Sequence, residues 1–348
     1  MSEPQAGSPA ASFAAVGAPA AGALPERMRA MTYSRYGGPE VLQRADLPRP
    51  TPASGQVFLR VAACVVTSGD WRLMTADPWA VRLYQGIRRI RRPVLGHGMS
   101  GTVVEVGAGV DRWRVGQPVF GESPDAGGFA EFAVVGEELL AEKPDAASHG
   151  EAACTPVAGY TALQGLRDHG RLKSGGRVLV VGAAGGVGST AVPLAKLLGA
   201  HVTAVASGGH ESFVRDLGAD EFIDYRDPDP VAGDFTRVGE RWDVILDLVG
   251  RAPISGCKRA LTPGGRYVAV SGALRRTAWL SLTGGPRMTG MIAKPDADDL
   301  AWLAERLTSR ELVPSIERSY PLEQLPEAIG RLGRGGIRGK LLIEPQSP

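Results

Sequence analysis

Arg177 to Ser207 reads RVLVVGAAGGVGSTAVPLAKLLGAHVTAVAS, and the fold is decided here. The apolar run Val178 to Val181 predicts a strand. Gly182, Gly185, Gly186 and Gly188 then make a glycine-rich turn. Ala191, Val192, Ala195 and Leu198 fall on one face of a helix, Gly199 stops it, and Val202 to Ala206 predicts a second strand. The unit is βαβ. Its turn suits the diphosphate of a dinucleotide, because glycines let the backbone of Gly185, Gly186, Val187 and Gly188 pass close beneath the phosphates. The helix N-terminus adds free N–H groups and the positive end of its dipole. The bland alternative is a tight glycine turn in an ordinary α/β domain. Pro193 fits the helix poorly, since it removes a hydrogen bond.

The second strand bears on which dinucleotide binds. Sites for NAD usually place an acid at its end, bonded to the ribose 2′-hydroxyl. Here Ser207 stands there, followed by Gly208, Gly209 and His210, with no carboxylate before Glu211. A small hydroxyl leaves room for a 2′-phosphate, so the expected cofactor is NADPH. Arg215 and the pair Tyr225-Arg226 are candidate donors, as guanidinium geometry matches phosphate. A solvated helix face explains Arg215 equally well.

At 348 residues the chain predicts about two domains. A formal net charge of +2 excludes a global field that drives binding to nucleic acid. Cys64, Cys154 and Cys257 are widely spaced and form no disulfide framework, which suits a reducing cytoplasm. No stretch approaches the about 20 apolar residues of a membrane span, so no membrane insertion is expected. Residues 1–27 are read as a disordered tail, rich in Ala, Pro, Gly and Ser up to residue 25 and without the basic start of a signal peptide.

Before the βαβ unit, short strands alternate with glycine turns. They are expected at 28–49 around Gly37-Gly38, at Gln56 to Ala63, at Thr102 to Val106, after Val115-Gly116, and from Gly127 to Ala133. This pattern predicts a small barrel-like β domain. From Gly150 the pattern changes. Ala152 to Gly165 is apolar at helical spacing. Strands follow at Asp220 to Asp224, Trp242 to Leu248 and, after the turn Leu261 to Gly265, Tyr267 to Val270. Helices are expected at Asp298 to Leu307 and Pro326 to Leu332, with a closing strand at Lys340 to Ile343.

The pieces PVLGHGMSGTVVEVGAGV, GGFAEFAVV, TPVAGYTALQGLRD, VLVVGAAGGVG, LGADEFIDY, DVILDLVG and LTPGGRYVAVSG carry a resemblance. From Met28 to Glu344 the chain resembles the medium-chain dehydrogenase/reductase superfamily, and within it the zinc-free quinone oxidoreductase-like and reticulon-interacting-protein-like branch. The resemblance implies an α/β fold in which a GroES-like β-barrel domain (28–149 and 291–348) is split by a doubly wound Rossmann domain (150–290). The active cleft lies between them.

Relatives that bear zinc supply a cysteine, a histidine followed by glutamate, and a second cysteine. Those positions here hold Thr67, His97 with Gly98 beside it, and about Val157. One nitrogen does not hold zinc, so no metal is expected. By resemblance Thr67 lines the nicotinamide and Arg338 stands where relatives bind diphosphate. Val249, Gly250, Ser271 and Gly272 end two strands and belong at the cleft. His97 is either a turn residue or a donor to the substrate carbonyl. Tyr84 is a candidate proton donor by chemistry alone. Asp70 reads first as a helix cap.

The implied activity is zinc-independent hydride transfer from NADPH to a quinone, enone or related carbonyl. The alternatives are a cofactor-binding regulatory protein with little turnover, and a trans-acting enoyl reductase on acyl thioesters. Relatives also imply a homodimer, for which Ala278 to Met291 is a candidate contact. Arg82, Arg88, Arg89, Arg91 and Arg92 remain as a cluster. It reads as a solvated helix face, a lid over an acidic substrate, an RNA patch or a membrane-surface contact. The interleaved aromatics that favour RNA are missing, so no nucleic acid is expected.

Overall fold

A computed structural model describes residues 24–229, 231–270, 280 and 285–346. Six strands form one parallel sheet: β8 (Arg177–Val181), β9 (His201–Ala206), β10 (Glu221–Asp224), β11 (Trp242–Asp247), β12 (Leu261–Ala269) and β13 (Met288–Gly290). Their order is β10-β9-β8-β11-β12-β13. Strands added outward in both directions from β8 create a switch point between β8 and β11, and open α/β sheets bind ligands at such a crevice. The central strands are buried on both faces, so they read as continuous apolar runs; Val178, Leu179 and Val180 are all fully buried.

A second sheet holds β3 (Gln56–Val66), β4 (Gly98–Val106), β5 (Pro118–Glu122), β6 (Phe132–Gly136), β7 (Leu140–Glu142), β14 (Ile316–Pro321) and β15 (Lys340–Glu344). A small antiparallel pair, Arg27–Thr32 and Gln43–Pro48, precedes it. The C-terminal β15 pairs antiparallel with β3, so the end of the chain completes a sheet begun at residue 56. Alternation along β3 predicts one buried face, yet Phe58 is as buried as Val57 and Leu59. It packs on the other side, stacked on Phe132 among Met28, Ala30 and Ala130.

Two expectations need correction. Gly127 to Glu131 forms no strand: it makes only an isolated antiparallel bridge, Ala130 to Ala30, in which Met31 N–H donates to the Phe129 carbonyl and Glu131 N–H to the Arg29 carbonyl, and β6 starts at Phe132. Leu261 to Gly265 is not a turn ahead of a strand but the start of β12, where extra residues bulge between Leu261 and Arg266 against β11.

The helix α3 (His149–Gln164) joins the two sheets. Ser148 and Glu151 cap it reciprocally, each side chain accepting from the other's backbone N–H. Among the described residues no helix is long and apolar enough to cross a membrane. Ser271 and Gly272, nearly all of the tail 1–27, and residues 278, 279 and 281–284 of the segment Ala278 to Met291 lie outside the described residues.

Candidate active site

The helix α4 (Gly188–Leu197) follows β8 through the glycine turn. It runs on through Pro193, whose missing N–H leaves one helical bond unmade. The four glycines of the turn differ in what they do. Gly182 has φ +87°, a left-handed conformation, and a Cβ there would lie 2.9 Å from Val249 Cγ2. A Cβ on Gly188 would collide with the Gly182 carbonyl and Ala183, so helix and strand meet backbone to backbone. At Gly185 and Gly186 a Cβ would meet nothing nearer than 3.5 and 3.7 Å. Packing does not demand glycine at these two; a ligand lying on the loop would.

A cavity of about 580 Å³ opens over this turn. Gly185, Gly186, Val187 and Gly188 line one wall, Val249 and Arg251 another, and Ser68 with Gly335 to Ile337 close it from the β domain. Asp247, fully buried at the end of β11, holds the Val249 wall. Its Oδ1 accepts from the N–H of Val249 (2.9 Å) and Gly250 (2.7 Å), and its Oδ2 from the Tyr267 hydroxyl (2.6 Å). Arg331 supports the opposite wall by donating to the carbonyls of Gly335 and Gly336.

Ser207, His210 and Tyr225 line the end of the cavity beyond β9. Arg226 lies over the Tyr225 ring, and Arg338 Nη2 donates to the Gly209 carbonyl (2.8 Å). Burial, then the cations Arg338 and Arg226, hold the His210 imidazole below its ordinary range. This end is therefore electropositive. Asp224 and Glu317 are the counterweights: the Asp224 carboxylate lies close beside Gly208, and Glu317 accepts from the Arg338 N–H (2.7 Å) and pulls the His210 imidazole up. Arg215 is absent from the cavity wall; it pairs with Glu211 (2.8 Å) and the Asp220 carbonyl.

Ser68 opens the helix α1 (Ser68–Thr75), and Thr67 caps it with Asp70. The Thr67 hydroxyl and N–H both donate to Asp70 Oδ2, at 2.7 and 2.8 Å. Asp70 is fully buried; its Oδ1 accepts from the Gly96 N–H (2.9 Å) and faces His97 Nδ1 (3.3 Å). Burial raises the Asp70 carboxyl, but the bonds from His97 and Thr67 outweigh it and hold it below the ordinary value. Burial likewise lowers His97, and the Asp70 bond outweighs that and raises it. Glu122 completes the cluster: burial pushes it up to about 7, against the pull of His97. The cap and the histidine contact are thus one arrangement, not rival roles for Asp70.

The positions a metal would need do not supply its ligands. Val157 packs beside Gly98, with Cγ2 3.0 Å from where a Gly98 Cβ would lie, and that same crowding leaves no space for a glutamate. Cys64 and Cys154 are buried, and desolvation pushes both thiols up, Cys154 to about 12. Among the described residues no group of three or more His, Cys, Asp or Glu could hold a metal ion. Tyr84 stands apart, half exposed, its hydroxyl donating to the Pro124 carbonyl (3.1 Å).

Residues 53–145 match the family model of the alcohol dehydrogenase GroES-like domain, and residues 217–343 that of zinc-binding dehydrogenases. The chain is 32% identical over 332 residues to the chloroplast envelope quinone oxidoreductase homolog of Arabidopsis thaliana, covering 91% of this chain and 98% of that one. The chain belongs to the medium-chain dehydrogenase/reductase superfamily, in its quinone oxidoreductase-like branch. It is also 30% identical over 361 residues to the mitochondrial NAD(P)H oxidoreductase RTN4IP1 of Bos taurus, covering 91% and 89%. The quinone oxidoreductase structure from Coxiella burnetii superposes with a TM-score of 0.83 at 28% identity, covering 92% of this chain and all of that one. Membership makes the chain an oxidoreductase that uses a nicotinamide cofactor on a small-molecule substrate, and the glycine turn with its cavity and the neighbouring cluster of Thr67, Asp70, His97 and Glu122 are the candidates for its site.

Proposed function

We propose that this chain is a zinc-independent, NADPH-dependent oxidoreductase that reduces a quinone, enone or related carbonyl. One observation carries the reading: the cavity begins on the glycine turn and ends at Ser68, next to the buried Asp70 and the half-buried His97 and Glu122, which are not arranged to hold a metal ion. Bound NADPH supplies a hydride from its nicotinamide. Reduction then needs one proton at the oxygen or carbon that takes up the negative charge.

His97 meets that need. Asp70 occupies Nδ1 and favours the imidazolium, which leaves Nε2–H to donate. Thr67 spends its hydroxyl proton on Asp70, so it acts by position rather than as a donor. Glu122, ionised above about pH 7, adds negative charge near the imidazolium. NADPH over NADH is supported by the electropositive end at His210, Tyr225, Arg226 and Arg338. The three buried free thiols suit a reducing compartment such as the cytoplasm.

The test is a fluorescence titration with NADPH and NADH, followed by quinones and enones in the same cuvette. NADPH binding with oxidation supports the reading. Tighter NADH binding overturns the cofactor assignment, and NADPH binding without turnover on any acceptor points to a regulatory role instead.

A further inference from the structure

The arginine cluster takes no part in the cavity, and its surroundings have a chemistry of their own. The helix α2 (Val81–Gln85) is five residues long and sits in an exposed segment. Trp79, Leu83 and Ile87 recur every fourth residue and are 60%, 61% and 56% exposed. Tyr84 is exposed beside them. Burying such side chains in the protein would be favourable, yet here each of them stands in solvent within nine residues of chain.

The basic residues divide into two kinds. Arg82 and Arg92 hold the structure: Arg82 lies over the Tyr36 ring, and Arg92 lies over the Tyr84 ring and bonds Asp125. Arg88, Arg89 and Arg91 are exposed and form no ion pair with any described residue. No Asp or Glu occurs from Pro78 to Val104, so nothing in the segment offsets their charge.

The segment is pinned rather than free. Gln85 is buried and donates to the Tyr33 hydroxyl and the Arg92 carbonyl; the Tyr36 hydroxyl donates to the Gly86 carbonyl. Gly86 has φ +113°, and a Cβ there would collide with the Arg89 carbonyl, so the turn that presents Arg88 to Arg91 needs glycine.

The geometry points to a docking platform, Trp79 to Arg91, for the surface of an anionic lipid bilayer. A bilayer interface offers phosphates above and acyl chains just below. It satisfies three arginines without ion pairs and the exposed Trp79, Leu83 and Ile87 at once. Nucleic acid would use the arginines and leave Leu83 and Ile87 in water. The same face of a second copy would bring like charge against like.

Co-sedimentation of the full chain with phosphatidylcholine vesicles, with and without phosphatidylglycerol, tests this. Binding is expected only with phosphatidylglycerol, and it should weaken with added salt. The triple change Arg88→Gln, Arg89→Gln, Arg91→Gln should weaken it about 100-fold, at roughly fivefold per arginine. Trp79→Ala with Leu83→Ala should weaken it about tenfold or more and leave the salt dependence in place. All of these side chains are exposed, so thermal melting should stay unchanged and will reveal any variant that fails to fold. Absence of binding to anionic vesicles overturns the proposal, as does binding that survives the triple change. Binding to single-stranded RNA but not to vesicles, or self-association lost in the variants, would assign the platform to those partners instead.

Discussion

Two regions beside the cleft are built on different principles. The first wall, on the proposed dinucleotide side, is local: strand, glycine turn and helix from residues 177 to 197 make it with backbone. The second, just behind Ser68 and outside the cavity lining, brings Thr67, Asp70, His97 and Glu122 together from three strand ends and a helix start, and is made of side chains. The first tolerates little change of shape, while the second tolerates little change of charge. Substitutions should separate the two.

The largest effect is expected at Gly188. Gly188→Val puts side-chain atoms into the Gly182 carbonyl, and should abolish dinucleotide binding and lower the melting temperature sharply. Gly186→Ala has room, so melting should hold while affinity falls at least about tenfold; calorimetry and ligand titration read both. If Gly186→Ala binds normally, the open side of that loop is not where the ligand lies.

His97→Gln comes next. Loss of the proton donor should cut kcat by about 10²–10⁴-fold with the dinucleotide Kd unchanged, as stopped-flow and equilibrium titration will show. A matching loss of affinity would mean that His97 is structural.

Lys340 sharpens the comparison from below the glycine turn. It is buried, its Nζ donates to Thr190 Oγ1 on α4 at 2.7 Å, and desolvation lowers its pKa from 10.5 to about 8. Between those values the unfolded chain holds a proton that the folded chain lacks, so stability should rise with pH across that window. Below about 8 both hold it and the penalty is complete. Lys340→Met removes the penalty but orphans the threonine hydroxyl, so a net gain of roughly 1–2 kcal/mol at pH 7 is expected in denaturant titrations, with a flat profile above pH 8.

Glu122 should give the smallest change, and of opposite sign. Its folded pKa of about 7 exceeds the ordinary 4.5, so the folded chain keeps a proton that the unfolded chain loses. Stability should fall as pH rises from 4.5 to 7. His97, raised above 6.5, adds stability that is present at low pH and lost as pH climbs through its folded value. Glu122→Gln should flatten the acid-side slope, and a melting series from pH 4 to 8 checks it; an unchanged slope removes Glu122 from the cluster.

Much of the first wall was legible in the residues. The apolar run at β8, the glycines and the stop at Gly199, which has φ +81°, are contiguous. Period and turn chemistry report on such neighbours directly. The second wall was legible only in part. Thr67 and His97 were reachable through resemblance, but nothing in the spacing links either to Glu122, which lies 25 residues beyond His97. Asp247 stands out in the sequence near the end of an apolar strand, but its role and that of Arg331 are not legible there, because each acts on backbone groups that only the folded chain brings near. Of the two readings of Arg215, the solvated helix face is the one observed: a guanidinium near a candidate phosphate site still goes to the nearest acceptors, here Glu211 and the Asp220 carbonyl.

The residues alone therefore determined the βαβ unit, the two-part α/β architecture and a single nitrogen donor, His97, among the three ligand positions. These follow from steric freedom, periodicity and side-chain chemistry, which need no partner far along the chain. Tertiary structure decided which carboxylate meets His97, where the charges stand around His210 and which arginines are left exposed. Those depend on burial and on strands paired across the whole chain, as when β15 closes on β3, and short-range pattern carries no record of them.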